Sequence, residues 1–178
     1  MERREPIRIC SDGGERQIEI RLNNRIYYMA IYKAPKDFSQ RDPSMKSVFL
    51  AGSIEQGKAI DWQQYCEKEL IEDFHLFNPR RDDWDASWKQ SIDDPQFNQQ
   101  VNWELEALEQ ADYIILYLAE NTKSPISLLE FGLHAKSDKL LVVCHPNFWR
   151  KGNIDVVCVK YQIIQFNDLP EVIQYLKS

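Results

Sequence analysis

No run in this 178-residue chain approaches the ~18 uninterrupted apolar residues that a membrane-spanning helix needs, so no membrane partner is expected. The opening Met-Glu-Arg-Arg-Glu-Pro lacks the apolar core and small-residue cleavage site of a secretory signal, and the chain reads as cytoplasmic. Cysteine is sparse: Cys10, Cys66, Cys144 and Cys158 are scattered, with no CxxC pair, which argues for buried free thiols and against a disulfide framework. Basic residues are outnumbered, 22 Lys and Arg against 28 Asp and Glu, for a formal charge of −6. Long nucleic acid is a poor partner for such a surface, although a few local donors can still hold one small anion. His75, His134 and His145 show no ligand spacing, so no metal or other cofactor is expected. Asp82-Asp83-Trp84-Asp85 reads as a solvated loop rather than a cation site. Internal repeats and low-complexity tracts are lacking.

What is present is a composition 43% hydrophobic over a length suited to one core. Two short alternating runs, Gln17–Leu22 and Arg25–Tyr32, flank Asn23-Asn24 and predict an N-terminal β-hairpin within a 1–45 extension. The main domain is expected over 46–178. There, apolar runs at Val48–Ala51, Leu76–Phe77, Tyr113–Leu118, Leu140–Cys144 and Gln162–Phe166 alternate with helical periodicity at Ala59–Asp73, Asn98–Gln110, Ile126–Lys136 and Pro170–Leu176. This pattern predicts an α/β fold, a three-layer α-β-α sandwich around a five-stranded, mostly parallel Rossmann-like sheet. Ligands of such sheets bind beyond the carboxyl ends of the strands. Gly52-Ser53-Ile54, Asn78-Pro79-Arg80-Arg81 with Trp84, and 119–125 are therefore the candidate site loops.

Within these segments Glu130 is an acid among Leu128, Leu129, Phe131 and Leu133, and burying an ionised carboxylate without partners costs several kcal/mol. Glu104 and Asp112 are further acids. A nucleophilic carboxylate plus a second acid that handles a proton is what cleavage of an N-glycosidic bond requires. Simpler roles fit the same residues: Glu130 as a solvent-facing or capping acid, Asp112 as a strand-entry residue, Arg80 and Arg81 as partners of Asp82 and Asp83. Trp84 could stack on a nucleobase.

Four blocks in order, Val48-Phe49-Leu50-Ala51-Gly52-Ser53-Ile54, Asn78-Pro79-Arg80-Arg81, Trp103-Glu104 through Ala111-Asp112, and Ser124 through Glu130-Phe131-Gly132, resemble the nucleoside 2-deoxyribosyltransferase-like family over about residues 46–166. The resemblance implies a flavodoxin-like sheet, a nucleoside or nucleotide as the small-molecule partner, and a homo-oligomer. By position it implies that Glu130 forms the glycosyl-enzyme intermediate. It implies that Glu104, an Asp in most relatives, contacts the sugar or assists the proton, and that Ser124 occupies the place of a phosphate-binding serine. The chain departs from phosphate-binding relatives at Glu55, where they carry Arg, and at Pro125 and Ile126, where they carry glycines. Proline removes a backbone donor, which argues against a phosphate cradle at that point. Arg80 and Arg81 could supply charge from another loop. The alternatives are a nucleotide-sensing module without turnover and a glycohydrolase of a dinucleotide such as NAD.

Overall fold

The computed structural model describes residues 5–10, 17–22, 25–54, 61–81, 85 and 87–178, with side-chain surroundings described from Ala30 onward. Three N-terminal strands, β1 (Glu5–Cys10), β2 (Gln17–Leu22) and β3 (Arg25–Lys33), pair antiparallel. The chain then supplies β4 (Ser47–Gly52), β5 (His75–Asn78), β6 (Tyr113–Leu118), β7 (Leu140–Cys144) and β8 (Ile164–Phe166). All belong to one sheet, in the order β1-β2-β3-β5-β4-β6-β7-β8, and every pairing from β3 to β8 is parallel.

The five expected runs all form parallel strands, and the second arm of the hairpin adds a sixth. The arms pair from Gln17↔Ala30 to Leu22↔Arg25; the Asn23-Asn24 turn lies outside the described residues. β3 joins the sheet because its last turns of sequence carry core groups. Ala30, Tyr32, Ala34 and Phe38 are buried in the same cluster as Phe77 and Trp103, so the core crosses the 45/46 position.

β4 and β7 are buried along their whole length, which explains their continuous apolar sequence: a parallel strand covered on both faces has no solvent side to alternate with. One face is covered by α2 (Pro95–Gln110), α3 (Pro125–His134) and α4 (Lys151–Tyr161), through Trp103, Ala107, Leu108, Phe131, Ile154 and Cys158. The other is covered by α1 (Trp62–Leu70) and α5 (Leu169–Leu176), through Trp62, Cys66, Leu70, Val172 and Ile173. Helix starts follow capping chemistry. Asp94 accepts from the Gln96 and Phe97 amides with Pro95 behind it, and Asp61 and Asp168 cap α1 and α5 in the same way. α4 was not among the expected helices. Its buried pair Ile154 and Cys158 alternates with exposed Val156 and Val159, which blurs the amphipathic stripe.

After β4 the chain moves to β5 on one side of it and then to β6 on the other. The carboxyl ends of β4 and β6 therefore form the topological switch point, where a crevice opens between diverging connections.

Candidate active site

At the end of β4, Gly52 adopts φ +145, and a Cβ there would lie 2.2 Å from the Tyr117 carbonyl oxygen of β6. Only glycine lets the two strand ends approach so closely. Ser53 follows, fully buried, with its amide donating to the Tyr117 carbonyl at 2.9 Å and its hydroxyl accepting from the Ala119 amide at 3.0 Å. The same hydroxyl lies 2.9 Å from Thr122 Oγ1 and 2.7 Å from Ser124 Oγ. The two predicted serines thus meet across the switch point, joined by Thr122, which sequence reasoning did not single out. Their hydroxyls bond one another, so the cluster ties the β6 loop to β4. Ser124 is held at φ 47, ψ 50, a left-handed geometry costly for a side chain with a Cβ, and Pro125 takes the first position of α3.

α3 is inverted relative to an ordinary surface helix. Ser127, Glu130 and Phe131 face inward, whereas Ile126, Leu129 and Leu133 are 59%, 59% and 58% exposed. Leu129 and Leu133 therefore do not surround Glu130 as the sequence suggested; they stand on the opposite side. Glu130 is buried one and a half turns into the helix, and because helical side chains lean toward the N-terminus its carboxylate is carried toward the switch point. Burial pushes its pKa up to about 8, with the nearby charge of Glu104 adding to the effect.

Glu104 comes from α2, on the same face of the sheet. It is half-buried, and desolvation raises its carboxyl to about 7 against the lowering effect of a hydrogen bond from Gln100. Gln100 Nε2 donates to Glu104 Oε1 at 2.7 Å and to the Pro79 carbonyl at 3.0 Å, linking the acid to the end of β5. Gln100, which sequence reasoning did not single out, is thus in direct contact with a candidate acid. Gln100 had a usable signal, since it precedes Glu104 by one helical turn.

Asp112 is not brought to this site. It sits before the first residue of β6, at the opposite edge of the sheet, and its Oδ2 accepts from the Ser47 amide at 2.8 Å and the Ser47 hydroxyl at 3.0 Å, with Lys46 Nζ 3.3 Å from Oδ1. Partial burial raises its pKa less than these donors lower it. The geometry corrects the catalytic assignment: Asp112 is the strand-entry residue that fastens β6 to β4.

Asn78 also differs from its expected role. It is buried, donating from Nδ2 to Glu67 at 2.7 Å and accepting the Arg80 amide at 2.9 Å, so its amide shapes the turn after β5. Arg80 extends from that turn to within 3.7 Å of Asp61, and Arg81 lies over the Trp88 ring at 4.8 Å. Ile54 is half-buried beyond Ser53. Trp84, Asp82, Asp83 and Glu55 lie outside the described residues.

The three thiols whose surroundings are described are buried and free; burial raises Cys66 to about 12 and Cys144 and Cys158 to about 11, so none is a poised nucleophile. Among the described residues no three His, Cys, Asp or Glu side chains converge as cation ligands, and no helix is long and apolar enough to cross a membrane. What converges is a pair of carboxyl groups from two helices, both titrating near neutrality, under the switch point of a parallel sheet. Residues 45–148 match the sequence model of a family described as nucleoside 2-deoxyribosyltransferase like. No curated protein matches the chain.

Proposed function

The chain belongs to the nucleoside 2-deoxyribosyltransferase-like family, and from that premise we propose that it cleaves or exchanges the N-glycosidic bond of a nucleoside or nucleotide, with Glu130 as nucleophile. The observation that carries this reading is the Glu130–Glu104 pair. Two neighbouring carboxyls with raised values, Glu130 buried and Glu104 half-buried, share one proton near neutrality; Glu130 holds it more tightly in the free protein, so the reaction draws on the minor form in which the proton sits on Glu104 and Glu130 is ionised. In the first step the Glu130 carboxylate bonds to C1′ as the C1′–N bond breaks, and the electron pair leaves with the base, which takes a proton from Glu104. In the second, water or another base attacks C1′, gives a proton to Glu104, and Glu130 departs as carboxylate.

A sensor that only bound a nucleotide would gain nothing from burying Glu130, since the acid costs stability at neutral pH. The test is incubation with ribo- and deoxyribonucleosides and their 5′-monophosphates, with and without free base, beside Glu130→Ala. Base release abolished in the variant supports the reading, and dependence of product on added base identifies transfer over hydrolysis. Binding without release, unaffected by Glu130→Ala, would favour the sensor.

The homo-oligomer implied by the resemblance has a suitable face in the outward stripe Ile126, Leu129 and Leu133. Light scattering would show Leu129→Glu shifting the protein to a smaller species; an unchanged mass would remove this face from the assembly.

A further inference from the structure

Around the turn after β5 lie buried polar atoms without a hydrogen-bond partner among the described residues. Gln63 in α1 is fully buried, yet neither its amide nitrogen nor its amide oxygen has a hydrogen-bond partner among the described residues. The same holds for Nη2 of Arg80, for its Nε, which has only an ion-pair approach of 3.7 Å to Asp61, and for Oε1 of Gln100. An unmade hydrogen bond on a buried polar atom costs about 1–3 kcal/mol, so several together call for a partner that arrives from outside.

Each of the three is tied to the end of β5, by a contact of its own or of a residue beside it. Gln63 stands one helical turn before Glu67, which holds Asn78 at the end of β5, and two residues after Asp61, which faces Arg80. Gln100 reaches the same turn from the other face of the sheet through the Pro79 carbonyl and holds Glu104 with the same nitrogen. The set thus adjoins the acid assigned to the leaving base.

We propose that Gln63, Arg80 and Gln100 form a subsite that reads the polar edge of that base and selects bases presenting an oxo group beside a ring N–H. This rests on the N-glycosidic reading for the identity of the ligand. Arg80 can only donate, so an oxygen facing it is satisfied, whereas an exocyclic amine there would set N–H against N–H. The amide oxygens of Gln63 and Gln100 accept from the adjacent ring N–H. A 5′-phosphate fits the set less well: Asp61 already offsets the Arg80 charge, and two amide oxygens would face the anion.

The test is calorimetric binding of matched pairs, deoxyinosine against deoxyadenosine and deoxyuridine against deoxycytidine, to the full chain carrying Glu130→Gln to prevent turnover. The oxo member of each pair should bind about tenfold tighter or more, and Arg80→Met should bring the members within about threefold of each other. Gln63→Met should weaken both members by about tenfold while raising the melting temperature of the ligand-free protein, because an unpartnered amide is replaced by an apolar group of similar size. A purely structural Gln63 would lower the melting temperature instead. Equal affinity within the pairs, a preference that survives Arg80→Met, or an Arg80→Met loss confined to 5′-monophosphates would overturn the proposal. If the oxo preference holds while the wild-type chain releases no base, the N-glycosidic reading fails and the subsite stands.

Discussion

Replacing Glu130 by Gln should change how stability depends on pH, in a direction opposite to that of ordinary acids. Carboxyls that are paired with cations have lowered pKa values and stabilise a fold as pH rises. Glu130 and Glu104 are raised from 4.5 to about 8 and about 7, so between about pH 5 and pH 7 the folded chain binds two protons that the unfolded chain releases. Stability is greatest below the unfolded value of 4.5 and is lost as pH climbs through the folded values. Each such proton contributes at most about 1.4 kcal/mol per pH unit, giving a wild-type slope of up to about 2.7 kcal/mol per unit over that window and about half of it in Glu130→Gln. The variant should therefore be of similar stability near pH 5 and more stable by up to roughly 5 kcal/mol at pH 8 and above. Urea denaturation at intervals from pH 5 to pH 9, read by tryptophan fluorescence, measures both slopes. Equal slopes in the two proteins would mean that Glu130 is ionised in the native state throughout, and the argument from its burial would be wrong.

Three further outcomes follow from the same structure. The kcat/KM of the cleavage should be bell-shaped with limbs near 7 and 8, titrations belonging to the carboxyl pair as a unit, and Glu104→Gln should remove the alkaline limb; a flat profile over pH 6–9 would contradict a shared proton. Gly52→Ala should destabilise by about 3 kcal/mol or more, because its Cβ meets backbone rather than a flexible side chain, and a change in the urea midpoint worth under about 1 kcal/mol would refute the close approach. Asp112→Ala should cost about 1–3 kcal/mol by stranding the Ser47 amide, visible in the melting temperature, whereas a large fall in kcat at unchanged melting temperature would return Asp112 to the catalytic set.

The layers of the fold were legible because buried parallel strands write themselves as unbroken apolar runs, as at Leu140–Cys144, and because capping acids such as Asp94 mark helix starts. What escaped were elements whose burial depends on partners distant in sequence. β3 reads as a hairpin arm by its alternation, and nothing local announces that Tyr32 will pack against Phe77. α4 escaped because its outer face carries valines. At the site, Glu130 stood out as an acid in an apolar stretch, but only part of that stretch turns inward: Leu128 and Phe131 pack on the core, whereas Leu129 and Leu133 face outward. Asp112 and Glu104 look alike in sequence, and only the topology sends one to the amino edge of the sheet and the other beneath the switch point. Gln63 carried no signal, since a glutamine in the first turn of a helix is ordinarily solvated.

The proposed chemistry turns on a covalent bond between Glu130 and the sugar. Intact-protein mass spectrometry after rapid quenching of the chain with a nucleoside or nucleotide that it cleaves tests this most directly. A glycosyl-enzyme intermediate gives added mass equal to the substrate less its base, located on the peptide containing Glu130 and missing in Glu130→Ala. Base release at an undiminished rate in Glu130→Ala, or an adduct on another residue, would contradict it.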